Sequence, residues 1–429
     1  MSFTFIKKDK NKEMKSEWTG KHYKIVWKKA LLCDVCGNSS NSCNVDCPVI
    51  CDAPDDPVGL GCECEHHSKL YCESESESES ESESESESES ESESESESES
   101  ESESESESES DNYNNLQLGL CCINTELRKQ KPTIFCNRTC RLATAQKKGD
   151  EYIRELSLKN LNDIMHILEW NKKNNIKSYR LSSDIFPHLN NPKYGSEFEY
   201  GTRYSLKFAE DMLKKIGKKA YEYNIRLSFH PGQYNQIASP TENVFKNTVR
   251  DLSCHSRVLD IIEDELDLKE NKGIICIHGG GVYNDKEKTI KRWLERFKML
   301  PKFVQDRICI ENCEKCYSSE DCLRISHSLN IPHIFDTHHY NCYSLLHKNE
   351  TQESADSLMP KVLNTWKKRG LKPYFHISEQ GSGKIGHHSD YVETIPDYLL
   401  NIKIHITIDI EAKAKEQAIL KLKNKYKIE

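Results

Sequence analysis

The sequence has no run of about 18 uncharged apolar residues, the length that a membrane-spanning helix needs. Its first eight residues also lack the apolar core of a secretory signal peptide. We therefore expect an intracellular protein of the cytoplasm or nucleus, neither secreted nor held in a membrane. In a reducing compartment, the 19 cysteines are expected to be thiols or metal ligands rather than a disulfide framework.

Apolar residues are scarce as well, at 36% of the 429 residues. Much of the shortage comes from residues 73–110, a strict alternation of glutamate and serine that has no apolar side chain to bury. We predict that this tract is an extended, disordered linker. It can also act as a polyanion mimic that keeps a basic domain away from non-specific nucleic acid.

The charge of the chain is divided unevenly. The Glu-Ser tract supplies 19 negative charges, so the formal net charge of −10 becomes +9 without it. Residues 1–72 have equal numbers of acidic and basic side chains, so the positive surplus lies in residues 111–429. Such a positive surplus suits a polyanionic partner, although a surplus of this size is also common in proteins that bind no polyanion.

Residues 1–72 form a cysteine-rich N-terminal region with eight cysteines. Cys33 and Cys36 form a C-x-x-C pair, which can supply two of the four ligands of a structural Zn²⁺ ion. The spacing of the other six cysteines is irregular. Two alternatives therefore stay open, a small zinc module and a loosely ordered arm.

Residues 111–429 alternate short β-rich runs with longer stretches of helical periodicity. Eight such units predict an α/β fold, a (β/α)8 TIM barrel. An open, doubly wound sheet is the structural alternative. The predicted strands are 116–123, 176–183, 225–230, 274–278, 308–311, 333–336, 374–377 and 403–410.

Several helices are marked by apolar spacing or by start signals. Residues 290, 293, 294 and 297 are apolar at i, i+3, i+4 and i+7, which predicts an amphipathic helix. Ser239 followed by Pro240 predicts an N-cap and first helical residue, and Ser318 with Asp321 resembles a capping box. A last helix is predicted from about Glu411.

Residues of metal-binding type stand at the ends of six consecutive predicted strands. In a barrel these ends meet at one face, where active sites lie. Taken singly, a buried histidine is more often a hydrogen-bonded core residue, and a strand-end carboxylate often caps a helix. Together they would place several negative charges in one cavity, where the carboxylates repel each other unless cations neutralise them. A mixed set of imidazole and carboxylate ligands suits Zn²⁺ or Mn²⁺. The residues are His230, His278, Glu311, Asp336, His376 and, on the last strand, Asp409 and Glu411.

Two local motifs add to this pattern. His339 follows Asp336 at i+3, a spacing that allows it to reach the same ion. A Pro-Gly turn after His230 presents Gln233 and Tyr234 on a loop above the predicted pocket. There the amide and the ring can stack against nucleotide bases, or they can simply pack the loop.

Several motifs together resemble the UV-damage endonuclease family. They follow the family's order over residues 116–416 and are highly specific as a set, whereas the N-terminal region and the Glu-Ser tract lie outside the resemblance. The motifs are Leu118-Gly-Leu-Cys-Cys-Ile-Asn124, Phe135-Cys-Asn-Arg-Thr139, Arg180-Leu-Ser-Ser-Asp184 with Phe186-Pro187, Leu227-Ser-Phe-His-Pro-Gly-Gln-Tyr234, Phe335-Asp-Thr-His-His339, His388-Ser-Asp-Tyr391 and Ile410-Glu-Ala-Lys-Ala-Lys-Glu416.

The resemblance implies a barrel akin to endonuclease IV and the xylose-isomerase-like enzymes. It also implies hydrolysis of double-stranded DNA immediately 5′ to pyrimidine dimers and 6-4 photoproducts. The expected cofactors are divalent ions of the manganese type, with Zn²⁺ or Mg²⁺ as alternatives, and we expect a monomer. The implied metal ligands are His230, His278, Glu311, Asp336, His339, His376 and Glu411, of which His230, Glu311, His376 and Glu411 are the predicted catalytic group.

The resemblance also predicts residues that bind DNA. Gln233 and Tyr234 would probe the lesion. Asn124 and the basic residues Arg138 and Arg141 of the first βα loop are further predicted DNA contacts, although solvated loop charge explains the arginines equally well.

The sequence departs from the family pattern at three places. Asn191 stands where the family has a metal-binding histidine, and His188 in the same loop is predicted to replace it. Tyr374 stands where the family has a lysine that can be carboxylated to bridge metals, so the centre is expected to hold fewer ions or to hold them differently. Leu120 replaces a tyrosine and weakens one lesion contact.

Two other functions fit the same residues. A sugar isomerase or epimerase uses similar His, Asp and Glu ligands on this barrel, although the Gln-Tyr loop argues against it. A lesion-binding protein that has lost catalysis is the second alternative, because the lysine is missing and the histidine is displaced.

Overall fold

The computed structural model describes residues 113–191 and 205–428, together with three strands near the N-terminus. These strands, β1 (Phe5–Asp9), β2 (Lys12–Trp18) and β3 (Tyr23–Trp27), pair antiparallel in the order β1-β2-β3. The sheet and the barrel belong to separate units of the chain. The predictions for the cysteines of residues 1–72 and for the Glu-Ser tract lie outside the described residues.

Eight parallel strands close into a barrel, in which β11 pairs with β4. The closure confirms the predicted TIM barrel and excludes the open doubly wound sheet. Strands β7 to β10 begin and end at the predicted residues, and the other four are shorter than predicted. The strands are β4 (Leu116–Cys121), β5 (Ser178–Leu181), β6 (Arg226–Phe229), β7 (Ile274–His278), β8 (Ile308–Glu311), β9 (His333–Asp336), β10 (Tyr374–Ile377) and β11 (Ile406–Ile410).

Helices connect these strands on the outside of the barrel, as the right-handed βαβ connection requires. In the described part of the chain they are α1 (Thr125–Arg128), α2 (Leu142–Lys148), α3 (Asp150–Lys173), α4 (Glu210–Glu222), α5 (Glu242–Ile262), α6 (Lys286–Phe297), α7 (Lys302–Gln305), α8 (Ser319–Leu329), α9 (Thr337–Leu346), α10 (Ala355–Arg369), α11 (Asp397–Leu400) and α12 (Glu416–Tyr426). None of these helices combines the length and the apolar character that a membrane span requires.

The helix signals were partly right. The amphipathic helix is α6, and Ser318 with Asp321 forms a complete capping box at α8. Helix α5 starts at Glu242, two residues later than predicted, because the Ser239 hydroxyl accepts the Thr241 N–H and holds the turn before the helix. The predicted last helix is present as α12, although it starts at Glu416 rather than at about Glu411.

Side chains along each strand point alternately into the barrel and outward to the helices, which separates the polar interior from the apolar core. In β7, Cys276 and His278 approach Glu311 inside the barrel, at 3.0 and 3.7 Å. Because successive side chains of a strand point to opposite faces, Ile275 and Ile277 face the helices, where both are buried in the apolar core. The outer layer thus supplies the apolar packing, and the interior is free to hold polar groups.

Candidate metal centre

The predicted ligands converge at the carboxyl-terminal mouth of the barrel. His278 and Glu311 are register partners at the ends of β7 and β8, and His376 of β10 is the register partner of Asp336 of β9. His230 directly follows β6, and Glu411 directly follows β11. Residues more than a hundred positions apart in the sequence are therefore neighbours, as closure of the barrel requires.

Glu311 lies at the middle of this group and is fully buried. Its Oε2 lies 2.7 Å from His230 Nε2, and its Oε1 lies 2.8 Å from His376 Nδ1 and 3.5 Å from His339 Nδ1. Burial raises the pKa of Glu311, but attraction to His376, His278 and His230 outweighs it, so the pKa lies well below the ordinary value. Glu311 is therefore a carboxylate anion at neutral pH.

His278 is held in the opposite protonation state. Burial, aided by repulsion from His230 and His339, outweighs the attraction of Glu311 and lowers the pKa of His278 to about 4. At neutral pH its imidazole is uncharged. A metal ion requires an uncharged imidazole and an ionised carboxylate, so His278 and Glu311 are both in the ligand form.

Three buried atoms of the group lack a hydrogen-bond partner among the described residues, namely Asp336 Oδ2, His278 Nδ1 and Glu411 Oε1, the last of which faces Arg180. The other oxygen of Asp336 accepts the His339 N–H at 2.7 Å and thereby caps α9, which fixes the orientation of the carboxylate. Buried polar atoms are rarely left without a partner. A cation bound by Asp336 would satisfy its free oxygen, so the residues present fit a divalent metal ion.

Side chains in two overlapping groups can each hold one ion. In each group one ligand atom per residue lies within 4.8 Å of the others, and Glu311 and His376 belong to both groups. Such shared ligands allow two ions to lie close together. The groups are His230, Cys276, Glu311 and His376, and Glu311, Asp336, His376 and Glu411.

Cys276 was not predicted as part of the site. Its thiol lies 3.0 Å from Glu311 Oε2. Burial, followed by the charge of Glu311, raises the pKa of this thiol well above its ordinary value, so it is protonated. Strand alternation could have found it, because Cys276 precedes His278 by two residues and shares its face of β7.

Arg180 is a second residue that sequence reasoning did not assign to the site. It extends from β5 into the barrel, where Nε lies 3.0 Å from Asp409 Oδ2 and Nη1 lies 2.6 Å from Glu411 Oε1. Nη2 donates to His376 Nε2 at 2.8 Å. Since Nε2 of His376 accepts this bond, Nδ1, which faces Glu311, carries the ring proton in the metal-free protein and would lose it on binding an ion. Arg180 thus places its single positive charge beside two carboxylates and orients an imidazole.

Tyr374 lies below this layer, at the position where the family pattern has lysine. Its hydroxyl is 2.8 Å from Ser178 Oγ and 3.0 Å from Ser228 Oγ, and the ring is fully buried. Ser178 also donates to Asp409 at 3.1 Å. The tyrosine therefore joins a hydrogen-bonded layer beneath the candidate ligands.

His188 lies apart from the two ligand groups. Its Nε2 is 2.9 Å from the carbonyl oxygen of Cys140. The side chain lines a cavity of about 70 Å³ together with Asp184, Tyr234 and Asp251. Another histidine comes closer to the centre, since His388 Nδ1 is 3.8 Å from Glu411 Oε2. The sequence motif contained His388, but no role was predicted for it.

The loop that follows His230 presents its side chains to solvent. Gln233 is exposed, and Tyr234 is 58% exposed although its hydroxyl lies 3.4 Å from Asp251. A side chain at Gly232 would meet the Tyr234 ring, with an added Cβ only 2.8 Å away. Gln236 anchors the loop by accepting the Gly281 N–H at 2.8 Å.

The other predicted DNA contacts have different surroundings. Asn124 is buried and caps α1 by accepting the Leu127 N–H at 2.8 Å. Arg138 pairs with Asp163 at 2.6 Å and lies over the Phe135 ring. Arg141 is exposed. Of the three, Arg141 has the surroundings that a phosphate contact needs.

Comparison with known proteins agrees with the barrel and with the motifs. The family model for UV-endonuclease UvdE matches residues 116–429. A UV-damage endonuclease of Schizosaccharomyces pombe is 36% identical over 323 residues, which are 73% of this chain and 51% of that protein. The match therefore spans about half the length of the yeast relative.

Two further comparisons cover most of the other protein. A putative UV-damage endonuclease of Acanthamoeba polyphaga mimivirus is 35% identical over 319 residues, 73% of this chain and 92% of the viral protein. The crystal structure of SacUVDE has 30% identity and a TM-score of 0.62, and the alignment covers 73% of this chain and 98% of that one. With the family model covering almost the whole barrel, the resemblance is confirmed, and the chain belongs to the UV-endonuclease UvdE family.

Proposed function

We propose that this protein is a metal-dependent endonuclease that nicks the damaged strand of double-stranded DNA immediately 5′ to pyrimidine dimers and 6-4 photoproducts. The convergence of imidazole and carboxylate ligands around Glu311 is the observation that carries the proposal. Membership of the UV-endonuclease UvdE family supports DNA as the proposed substrate. The products would be a 3′-hydroxyl and a 5′-phosphate.

The centre would hold divalent ions, with Mn²⁺ the first candidate and Zn²⁺ or Mg²⁺ the alternatives. When bound, such ions supply positive charge that stabilises the phosphate as the bond breaks. His230, His278, Glu311 and His376 would hold one part of the centre, and Asp336 with Glu411 the other. Arg180 keeps Glu411 and His376 in place, and its charge reduces the repulsion among the carboxylates.

The DNA is proposed to lie across the same mouth. Gln233 and Tyr234 extend from a loop that begins directly after a candidate ligand, so a damaged base pair probed by them would lie beside the metal centre. An aromatic ring stacks on any base, and it gains most where pairing is already weakened. Arg141 is proposed as a contact to the backbone phosphate.

The test uses a labelled duplex with a single thymine dimer, incubated with the full-length protein and Mn²⁺. We expect one nick 5′ to the dimer, no nick in the undamaged duplex, and loss of the nick on chelation. Glu311→Gln is expected to reduce nicking by more than about 100-fold, because it removes a charged ligand common to both metal groups.

The same experiment distinguishes the alternatives. Binding of the damaged duplex without a nick, at every metal tried, would indicate a lesion-binding protein that has lost catalysis. If the protein neither binds nor nicks the damaged duplex, a sugar isomerase or epimerase becomes the better interpretation of the ligand set. A nick of equal rate in damaged and undamaged DNA would contradict the proposed lesion specificity.

A further inference from the structure

A pair of thiols lies in the loop between β8 and α8 and takes no part in the proposed reaction. Cys313 follows Glu311 by two residues, and Cys316 completes a Cys-Glu-Lys-Cys sequence before the cap of α8. Both cysteines are free thiols; Cys313 is buried and Cys316 is half-buried. This spacing is the one that redox-active dithiols use in proteins of reducing compartments.

The loop folds so that the sulfur of Cys313 accepts two backbone hydrogen bonds. The N–H of Cys316 donates to it at 3.2 Å and the N–H of Tyr317 at 3.3 Å. The Cys313 N–H in turn donates to the Tyr317 carbonyl at 2.9 Å. These bonds fix the Cys313 sulfur in the turn beside Cys316.

Cys316 is the more accessible of the two thiols. Its hydrogen bond with Cys313 lowers the pKa of the Cys316 thiol to about 7. A thiol with a pKa near the ambient pH is close to the optimum for attack on a disulfide. Cys316 therefore has both the exposure and the reactivity of an attacking group.

We propose that Cys313 and Cys316 form a redox site, which a low-molecular-weight disulfide converts reversibly into an intramolecular disulfide. The Cys316 thiolate attacks one sulfur of the small disulfide, forming a mixed disulfide and releasing one small thiolate. The released small thiolate takes the Cys313 proton, and the Cys313 sulfur then attacks the Cys316 sulfur and displaces the second small thiolate. Two protein thiols are oxidised and one small disulfide is reduced to two thiols, so electrons and protons balance.

The site has a physical connection to the metal centre through Asn312. The Asn312 side chain donates to the Asp336 carbonyl at 2.9 Å and accepts the Asp336 N–H at 2.9 Å. Its own carbonyl oxygen lies 3.0 Å from His339 Nδ1. Forming the disulfide next to Asn312 changes the loop that positions these two ligands. We expect the oxidised protein to bind Mn²⁺ about tenfold more weakly, the usual effect of disturbing residues behind the ligands.

The experiment equilibrates the full-length protein with graded ratios of oxidised to reduced glutathione, alkylates the remaining thiols and maps the peptides by mass spectrometry. Trypsin cuts after Lys315, so the disulfide would join peptide 308–315 to peptide 316–324. Each of these peptides contains a second cysteine, Cys309 and Cys322. Fragmentation of the joined peptides therefore assigns the linkage to Cys313 and Cys316.

Cys316→Ser and Cys313→Ser should each abolish the joined peptides, whereas Cys140→Ser, which changes another half-buried thiol, should leave them unchanged. Mn²⁺ affinity is measured by titration at both redox limits, and only the variants at 313 and 316 should lose its redox dependence. The proposal fails if both thiols stay alkylatable at the oxidising limit, or if native mass spectrometry finds a metal ion bound to the pair instead. An oxidised pair with unchanged Mn²⁺ affinity would overturn the connection through Asn312.

Discussion

Tyr234 is the exposed side chain that we propose as a lesion contact. It lies four residues after His230, and its ring is more than half exposed while its hydroxyl is near Asp251. We predict that Tyr234→Ala weakens binding to a duplex with a thymine dimer by about 5- to 150-fold, which is the value of one stacked base at about 1–3 kcal/mol. Binding to undamaged duplex should change much less.

The matched control for this prediction is Tyr221→Ala. Tyr221 is 50% exposed but lies on α4, away from the mouth of the barrel. Fluorescence anisotropy with damaged and undamaged duplexes measures both variants. If the two substitutions have equal effects on the damaged duplex, the ring of Tyr234 does not recognise the lesion.

Arg180 is a buried cation that pairs with two carboxylates inside the barrel. Its guanidinium contacts Asp409, which is fully buried, and Glu411. Arg180→Met leaves both carboxylates without this cation, and we predict a loss of about 3–5 kcal/mol in the free energy of unfolding of the metal-free protein. Urea denaturation in the presence of a chelator measures the loss.

A double-mutant cycle shows whether the loss comes from the ion pair. Asp409→Asn removes one of the uncompensated charges, so the double variant should be more stable than Arg180→Met alone. If Arg180→Met does not fold, Arg180→Lys keeps the charge and should lose less. Strictly additive effects of Arg180→Met and Asp409→Asn would contradict the predicted coupling.

At the scale of elements, His333 joins β9 to its neighbours. Its ring is fully buried, with Nδ1 donating to the Ile310 carbonyl of β8 at 3.0 Å and Nε2 2.8 Å from Ser319 of α8. Its backbone bonds to Thr365 and Trp366 of α10. The uncharged ring fits this position because Nε2 accepts from the serine, and a second ring proton would break that bond.

This position predicts a pH dependence of stability. Burial lowers the pKa of His333 to about 4, although the bond to Ile310 opposes it. The unfolded chain, with an ordinary pKa of about 6.5, binds more protons between these values, so this stabilisation is present at neutral pH and is lost as the pH falls toward 4. We predict a loss of about 2 kcal/mol between pH 7 and pH 5 that is specific to this residue.

The comparison of wild type with His333→Asn isolates the effect, because all other titrating groups are common to both proteins. Asparagine places its amide near the Nδ1 position and does not titrate. Urea unfolding at several pH values should give a flatter stability curve for the variant, whatever its stability at neutral pH. Parallel curves for the two proteins would rule out His333 as the source.

The elements were more predictable from the sequence than the contacts between them. Strand ends at His278, Glu311 and Asp336 follow from short apolar runs that stop at a polar residue, which is a local pattern. The position of Arg180 depends instead on closure of the barrel, which places β5 near Asp409 of β11, and no local pattern encodes that. Cys276 could have been found by alternation, but a cysteine within an apolar strand resembles a core residue.

For the molecule as a whole, the charge distribution is the feature that the barrel does not explain. The tract of residues 73–110 supplies 19 negative charges, and the rest of the chain has a surplus of nine positive charges. An acidic tract linked to a basic domain competes with DNA phosphates for the same positive surface. It should therefore weaken binding to undamaged DNA more than binding to a lesion, which gains contacts other than charge.

We predict that deleting residues 73–110 tightens binding to an undamaged duplex by about tenfold or more at roughly 50 mM salt. The difference should shrink as salt is raised, since screening weakens both the tract and the phosphates. Anisotropy titrations over a salt series measure the effect, with a Gly-Ser repeat of equal length as the control for linker length. If the Gly-Ser variant binds like the natural chain, the tract acts as a spacer only. If it binds like the deletion, its charge limits non-specific binding.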